Sequence, residues 1–356
     1  MRRKEKHIYG GAALGGMITG LSDMLIQYFN LKEGDSFWKN WNAWRTLRIT
    51  SIGASIGAGT GYVIYKTKRS SEERLPFNAS KYLHSILNDL NISSNPQALS
   101  IVLEIRDEIT EFVIAKFGDI LSSKPEYSGS FFKRTAINSN FDFDIVLPFS
   151  KDSFHSLEEM YETTYEAILD EFSNESTEVR RQKRSIGITF SIDDFEYHFD
   201  IVPGREINNY KIDGELNLYV APSNIFKNST STKTNIRAHK SITLNRPIER
   251  KIIKLLKFYR DENCLTIPSV VIQNIVIEAF DHKKAIPYSL YHNFIYAMEY
   301  MADKIFRKTL KDLSNTNNNI MDKISHWDRE AIADQLNSDL DKLKNDKRYL
   351  KEIFEI

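Results

Sequence analysis

Residues 141–149 read Phe-Asp-Phe-Asp-Ile-Val-Leu-Pro-Phe, and this stretch decides the fold. Its first residues alternate between apolar and acidic, as on a β-strand, where successive side chains point to opposite faces. The alternation puts Asp142 and Asp144 on one face and the apolar side chains on the other. Two carboxylates about 7 Å apart on one face repel each other unless a cation lies between them. The stretch therefore predicts a strand that carries a divalent-metal site.

A second predicted strand, residues 195–204, carries one acid in an apolar setting, Asp200, and ends at a Pro-Gly pair. Alone, such a carboxylate is usually a surface or capping residue. Beside Asp142 and Asp144 it becomes a third ligand that can also activate an attacking hydroxyl. We predict that these three aspartates are catalytic and hold Mg²⁺ or Mn²⁺, with the remaining ligands from phosphate and water.

Gly129 and Ser130 precede the acidic strand and follow a long amphipathic helix predicted at 98–118. A Gly-Ser pair before a helix start offers backbone N–H groups, a hydroxyl and a helix dipole to a phosphate. Many turns contain such a pair, so it gains meaning only from the carboxylates that follow it. We predict that Gly129 and Ser130 bind the phosphates of a nucleotide.

The order of these motifs resembles the polymerase-β-like nucleotidyltransferase superfamily: Gly-Ser, a spacer, Asp-x-Asp on a strand, then a single Asp before Val-Pro. It is more closely similar to the cGAS/DncV-like nucleotidyltransferases of bacterial anti-phage signalling, with oligoadenylate synthetase as a eukaryotic cousin. The resemblance covers about residues 85–345, although its specific motifs occupy four short windows.

The resemblance implies three further nucleotide-binding residues. Thr135 falls at the Thr of the family's Gly-Ser-x4-Thr motif, and Lys257 falls at the triphosphate-binding lysine of its spine helix. Ser269 opens the next helix, where the family often has a serine against the phosphates or the base. As isolated patterns, Lys257 also fits a solvated basic stripe and Ser269 an ordinary helix start.

Two positions depart from the family pattern. Tyr259 replaces the common Trp of the spine helix, and Val270-Val271 lack the Tyr often found after the serine. Both departures concern the nucleobase pocket and leave the metal site unchanged.

The first 70 residues differ in composition from the rest. Glycines recur four residues apart in two apolar segments, 8–29 and 49–65, and this spacing makes a smooth helical ridge for close helix packing. Basic residues flank the pair. We predict a two-helix transmembrane hairpin that places the enzyme on the cytoplasmic face of the bacterial inner membrane. The alternatives are a soluble hairpin in a cytoplasmic protein, docked on a partner or another copy, and a cleaved signal peptide.

The composition of the 356 residues bounds the classes of function. The 48 basic and 48 acidic residues balance, so no stable DNA binding is expected. Cys264 is the single cysteine, which excludes an internal disulfide and a cysteine-based zinc site. The length suits two domains and an appendage. We assign residues 1–70 to the hairpin, 80–245 to the catalytic core and 246–356 to a helical lobe that closes the nucleotide cleft.

The predicted fold is α/β (α+β): a polymerase-β-like core sheet, a C-terminal helical lobe and the N-terminal hairpin. The resemblance implies an enzyme that converts nucleoside triphosphates into a cyclic di- or oligonucleotide second messenger for a downstream effector in anti-phage defence. The same metal site also suits a transferase that makes linear oligonucleotides or nucleotidylates RNA or protein. A membrane-anchored nucleotide sensor without catalysis is the alternative outside enzymes.

Overall fold

The computed structural model describes residues 3–29, 43–72, 77–91, 96–137, 143–192, 195–222, 228–312 and 315–354. The chain divides into two compact units, one formed by Met1–Ala79 with Lys342–Ile356 and the other by Ser80–Asp341. The three predicted domain ranges are not tested by this division and stay predictions.

The helices of four or more residues are α1 (Arg3–Phe29), α2 (Ala43–Glu72), α3 (Ala79–Asp89), α4 (Pro96–Phe117), α5 (Gly129–Phe132), α6 (Leu157–Phe172), α7 (Tyr210–Asp213), α8 (Ile236–Ser241), α9 (Pro247–Glu262), α10 (Ser269–His282), α11 (Leu290–Lys304), α12 (His326–Asn345) and α13 (Leu350–Ile353). The strands are β1 (Glu126–Ser128), β2 (Phe143–Phe149), β3 (Thr177–Arg181), β4 (Ile186–Ile192), β5 (Phe195–Glu206), β6 (Glu215–Val220), β7 (Thr230–Asn235), β8 (Lys311–Asp312) and β9 (Asn315–Asn319). Short 3₁₀ helices cover Gly118–Ile120, Ile320–Lys323 and Lys347–Tyr349.

Within the described residues, seven strands form the main sheet of the larger unit, in the order β1-β2-β5-β4-β3, with β6 beside the end of β5 and β7 beside β6. Only the β2–β5 pair is parallel among these described pairings. The sheet is therefore mixed. Because β2 and β5 are neighbours and parallel, the two acidic strands enter the sheet from the same end.

One face of this sheet is covered by α4 and α6, because alternate strand residues are large and apolar. Phe143, Ile145 and Phe199 are at most 1% exposed in that core. The intervening residues face the other side, where Val146 packs with Tyr210 and the residues of a smaller core. The alternation thus turns the acids of β2 and β5 away from the main core.

The C-terminal part of the larger unit is helical, with α9 packed against α10 and α11. The predicted spine helix is α9, and the next helix begins at Ser269 as expected. The Asn-rich segment Asn315–Asn319 forms the strand β9, which pairs with β8. Asparagine side chains stabilise it locally, since Asn319 accepts from the Leu310 N–H at 2.9 Å.

The smaller unit contains α1 and α2, which pack through their glycines. A methyl group placed on Gly11 would lie 2.2 Å from the carbonyl oxygen of Gly57, and one on Gly15 would lie 2.2 Å from that of Gly53. These pairs show that the two helices run antiparallel. Inside the contact, Thr46 donates to the buried carboxylate of Asp23 at 2.7 Å, and Arg45 forms an ion pair with it at 3.0 Å.

In the part of the chain that the structure describes, no helix combines the length and the apolar character needed to cross a bilayer. The predicted transmembrane hairpin, and membrane association through residues 8–65, are therefore not supported. The physical reason is composition: glycine, serine and threonine dilute the apolar residues of both helices, and α2 also carries Arg45 and Arg48.

Candidate active site

Asp144 and Asp200 lie side by side on the two parallel strands. They are register partners of the β2–β5 pair, one residue beyond Phe143 and Phe199. Neighbouring strands are about 4.8 Å apart, and register partners of a parallel pair project from the same face. The structure thus brings together two carboxylates that are 56 residues apart in sequence. Their assignment as metal ligands stays a prediction.

Asp142, the third predicted ligand, lies outside the described residues. Within the described ranges, no group of three His, Cys, Asp or Glu side chains is placed to hold a metal ion. This finding concerns a set that lacks Asp142, so it leaves the complete trio untested.

The Gly-Ser turn lies directly beside Asp144. Ser128 is the register partner of Asp144 on β1, and its hydroxyl donates to the Asp144 carboxylate at 3.4 Å. Gly129 follows with φ of 83°, a left-handed conformation that favours glycine. Its N–H donates to the Ser128 hydroxyl at 2.7 Å, so this predicted phosphate donor already has an internal acceptor.

Asp200 is oriented by a residue that the sequence did not single out. The side-chain amide of Gln182 donates to the Asp200 carboxylate at 2.9 Å, and the Ser185 hydroxyl donates to the Gln182 carbonyl oxygen at 2.7 Å. Gly187, the register partner of Asp200, leaves room for this contact, because a methyl group there would lie 2.5 Å from the Gln182 amide nitrogen. Gln182 lies within a run of basic residues, which by itself indicates a solvated turn, so the local sequence does not mark Gln182 as a site residue.

A cavity of about 660 Å³ opens next to Asp144 in the larger unit. Its volume lies in the range of small-molecule sites. Six of the predicted site residues line it: Gly129, Ser130, Thr135, Asp144, Lys257 and Ser269. Asp144 of β2, α5 and the segment that follows α5 supply one wall, and α9 and α10 supply the other. Residues separated by 140 positions therefore face one space.

Lys257 is buried, at 6% exposure, and its ammonium donates to the Thr135 carbonyl at 2.9 Å. Desolvation, with nearby Lys133 and Arg260, lowers the pKa of Lys257 to about 7. Burial and the neighbouring cations make the protonated form of Lys257 unfavourable in the free protein. A bound anion would stabilise that form by its opposite charge. Its burial argues against the solvated basic stripe.

Thr135 and Ser269 are held by neighbours rather than free to move. The Thr135 N–H donates to the Ser130 carbonyl at 2.9 Å, which closes the turn after α5. Arg260 donates to the Ser269 hydroxyl at 2.9 Å. Both residues line the cavity, and their predicted contacts with nucleotide stay predictions.

Two further cavity residues were missed by the sequence analysis. Lys133 lies in the cavity wall, where burial lowers its pKa and the charges of Asp144 and Asp312 oppose that shift. Gln273 lies one turn after Ser269 on α10 and is 3% exposed. Within the described structure, its amide nitrogen is buried and has no hydrogen-bond acceptor. Nothing in the local sequence marks either residue, since both depend on helix packing.

No known family model matches this sequence, and no curated protein matches it. Solved structures do match. CdnC from E. coli MS115-1, solved with ATP, has a TM-score of 0.60 at 16% identity, over 78% of this chain and 98% of CdnC. CdnC in its complex with HORMA-deltaN has a TM-score of 0.56 at 17% identity, over 77% and 92% of the two chains.

A third structure is the CdnE cyclic dinucleotide synthase of Elizabethkingia meningoseptica, solved with GTP and Apcpp. Its TM-score is 0.52 at 14% identity, over 75% of this chain and 99% of CdnE. At such identities the likeness establishes the fold. The chain thus has the fold of CdnC and of the CdnE cyclic dinucleotide synthase, which confirms at the level of the fold the predicted resemblance to cGAS/DncV-like nucleotidyltransferases.

Proposed function

We propose that the protein is a metal-dependent nucleotidyltransferase that uses nucleoside triphosphates to make a cyclic di- or oligonucleotide. The observation that carries the proposal is the cavity, with Asp144 and the Gly129-Ser130 turn on one wall and Lys257 and Ser269 on the other. Carboxylates beside buried cations suit a metal-bound triphosphate, because the carboxylates would bind the metal ion and the cations would bind the phosphates.

The donor chemistry of the acidic pair fits Mg²⁺ or Mn²⁺. Asp144 and Asp200 offer adjacent carboxylates, the hard oxygen donors that these ions prefer, with Asp142 as the predicted third ligand. When bound, the ion would neutralise triphosphate charge and polarise the attacking oxygen.

Different residues of the chain would perform the separate steps of nucleotidyl transfer. Lys257 and Lys133 would hold the triphosphate so that its α-phosphorus lies at the acidic pair. Asp200, oriented by Gln182, would accept the proton of a ribose hydroxyl from a second nucleotide. That hydroxyl oxygen bonds to the α-phosphorus, and the bond to the β-phosphate oxygen breaks, so pyrophosphate leaves. A further transfer closes the ring.

The structural relatives support nucleotides as ligands, since CdnC was solved with ATP and CdnE with GTP and Apcpp. The proposal extends to anti-phage signalling, in which a downstream effector binds the cyclic product. The predicted cytoplasmic location stays a prediction.

Product analysis tests this function. The full-length protein is incubated with four radiolabelled NTPs and Mg²⁺ or Mn²⁺, and the products are treated with phosphatase. We expect a phosphatase-resistant product, lost in Asp144→Asn and in Asp200→Asn. The matched control is Asp119→Asn, which neutralises an exposed aspartate outside the cavity and should retain activity.

The outcomes separate the alternatives. A product that phosphatase degrades indicates the linear transferase. Equal amounts of product from the wild type and from Asp144→Asn would show that the acidic pair is not required for catalysis. Absence of both product and pyrophosphate release, with all NTPs and both metals, contradicts nucleotidyl transfer itself.

A further inference from the structure

The helix α1 exposes a row of large apolar residues at heptad spacing. Leu14, Ile18, Leu21 and Leu25 follow one another at steps of four, three and four, and they are 64%, 57%, 57% and 55% exposed. At 3.6 residues per turn, these steps keep the four side chains on one narrow face. We call this face the α1 stripe. The glycines that contact α2 lie on a different side of the helix.

The helix α2 carries a similar row. Ile52, Ile56 and Val63 are 60%, 65% and 60% exposed. Gly59 occupies the heptad position between Ile56 and Val63, and a methyl group there would have open space around it. The hairpin therefore uses its glycines for its internal contact and leaves an apolar row exposed on each helix.

The two rows together expose at least as much apolar surface as the largest patch of a typical monomer. Burying an aliphatic side chain removes roughly 60–100 Å² of apolar surface. The seven residues of the two rows thus present roughly 400–700 Å², at or above the largest apolar patch of a typical monomer. With its flanking atoms, the surface approaches the roughly 800 Å² that each partner contributes to a standard interface.

The spacing and the surroundings indicate a helical partner. Steps of four and three residues are those of knobs-into-holes packing between helices. Both helices also expose the large apolar residues Tyr9, Met17, Ile26, Leu47 and Tyr62, together with polar positions such as Ser22, Arg48, Ser51 and Ser55. A helix surrounded by lipid is apolar on every side, whereas polar positions interrupt the apolar surface of this hairpin, so the pattern fits contact with a protein partner and water.

We propose that the α1 stripe packs against the α1 stripe of a second copy of this chain, so that two hairpins form a four-helix bundle. The rows contain no charged residue, so they offer no charge match to a charged partner. They are complementary to themselves, as a twofold interface requires, because the same residues meet across the axis. This proposal is independent of the catalytic one.

The experiment measures the mass of the full-length protein by analytical ultracentrifugation across a wide concentration range. We expect a dimer for the wild type. The variant L14Q/I18Q/L21Q/L25Q should dissociate it, with a roughly 1,000-fold rise in the dissociation constant. The matched control A13Q/S22Q changes exposed α1 positions outside the stripe and should remain dimeric. Far-UV circular dichroism checks that helix content is preserved.

A cross-linking arm tests the geometry. In a C264S background, which removes the exposed native cysteine, Ile18→Cys or Leu21→Cys at the centre of the stripe should form a disulfide-linked dimer under mild oxidation. A monomeric wild type would overturn the proposal, as would a dimer that survives in the stripe variant. A wild-type monomer that binds phosphatidylcholine vesicles through the stripe would show that lipid covers this face instead.

Discussion

Lys257 gives the cavity a pH dependence near neutrality. Its pKa is lowered to about 7 by burial and neighbouring cations, and a bound triphosphate would raise it again. We therefore expect NTP binding to take up a proton above pH 7 and to weaken by up to about tenfold per pH unit. Calorimetry in buffers of different ionisation enthalpy measures this uptake. Lys257→Met should abolish it, and unchanged uptake in that variant would assign the proton to another group.

The same lysine affects stability with a defined sign. Because the folded pKa lies below the ordinary value of 10.5, the unfolded chain binds the proton more tightly. The resulting loss of stability is complete below pH 7 and disappears as the pH rises towards 10.5. Lys257→Met should therefore stabilise the free protein most at and below about pH 7, and the gain should shrink as the pH rises towards 10.5.

A substitution at Gln273 should change NTP binding and the stability of the folded protein in opposite directions. Its buried amide nitrogen has no acceptor within the described structure, and such a donor costs about 1–3 kcal/mol. Gln273→Leu should raise the free energy of unfolding and at the same time weaken NTP binding, because the residue lines the cavity that we propose to bind nucleotide. Thermal unfolding and NTP titration check the two effects.

A matched asparagine serves as the control for Gln273. The amide of Asn293 both donates to the Ile286 carbonyl at 2.6 Å and accepts from its N–H at 3.0 Å. Asn293→Leu should therefore destabilise the protein. Equal destabilisation by both substitutions would mean that Gln273 is a structural residue.

At the scale of elements, the α1–α2 contact depends on glycine at particular positions. A methyl group on Gly57 would lie 2.0 Å from the Gly11 carbonyl oxygen, whereas one on Gly59 meets no atom within 4 Å. Gly57→Ala should destabilise the helix pair by about 1–3 kcal/mol. Gly59→Ala should be neutral or stabilising by up to about 1 kcal/mol. Hydrogen exchange of α1 and α2 distinguishes the two, and equal protection in both variants would disprove the close contact.

At the scale of the larger unit, one hydrogen bond joins helices that are distant in sequence. The Tyr259 hydroxyl on α9 donates to the Asp339 carboxylate on α12 at 2.9 Å, and Asp339 is fully buried. The contact uses the hydroxyl of Tyr259, the residue that replaces the tryptophan of the family pattern. Tyr259→Phe should cost about 1–3 kcal/mol, because it removes a donor from a buried acid.

Differential scanning calorimetry measures the Tyr259 effect, with an expected fall of a few degrees in the unfolding midpoint. Tyr296→Phe is the control, since its hydroxyl bonds to the Ala279 carbonyl on a part-buried site. A larger loss from Tyr296→Phe than from Tyr259→Phe would argue against the buried pair as a link between α9 and α12.

Local periodicity by itself predicted the two acidic strands, and the family resemblance added the spine helix and the helix start at Ser269. The strands depend on side-chain alternation and the other two on short motifs within one element, and the sequence displays both directly. The glycine ridges likewise indicated a close helix pair. Their composition was interpreted as a membrane span because two apolar segments lay between basic flanks, and the described helices do not support that span.

Only the tertiary structure decided which residues meet. The parallel pairing of β2 with β5 sets Asp144 beside Asp200, and the packing of α9 with α10 places Lys257 and Gln273 in the cavity that Asp144 also lines. Gln182 reaches Asp200 because Gly187 leaves space for it. Such contacts depend on register and helix packing between distant segments, which no local pattern records. The sequence therefore identified candidate site residues by their chemical groups, and the fold determined the partners, burial and pKa values of these residues.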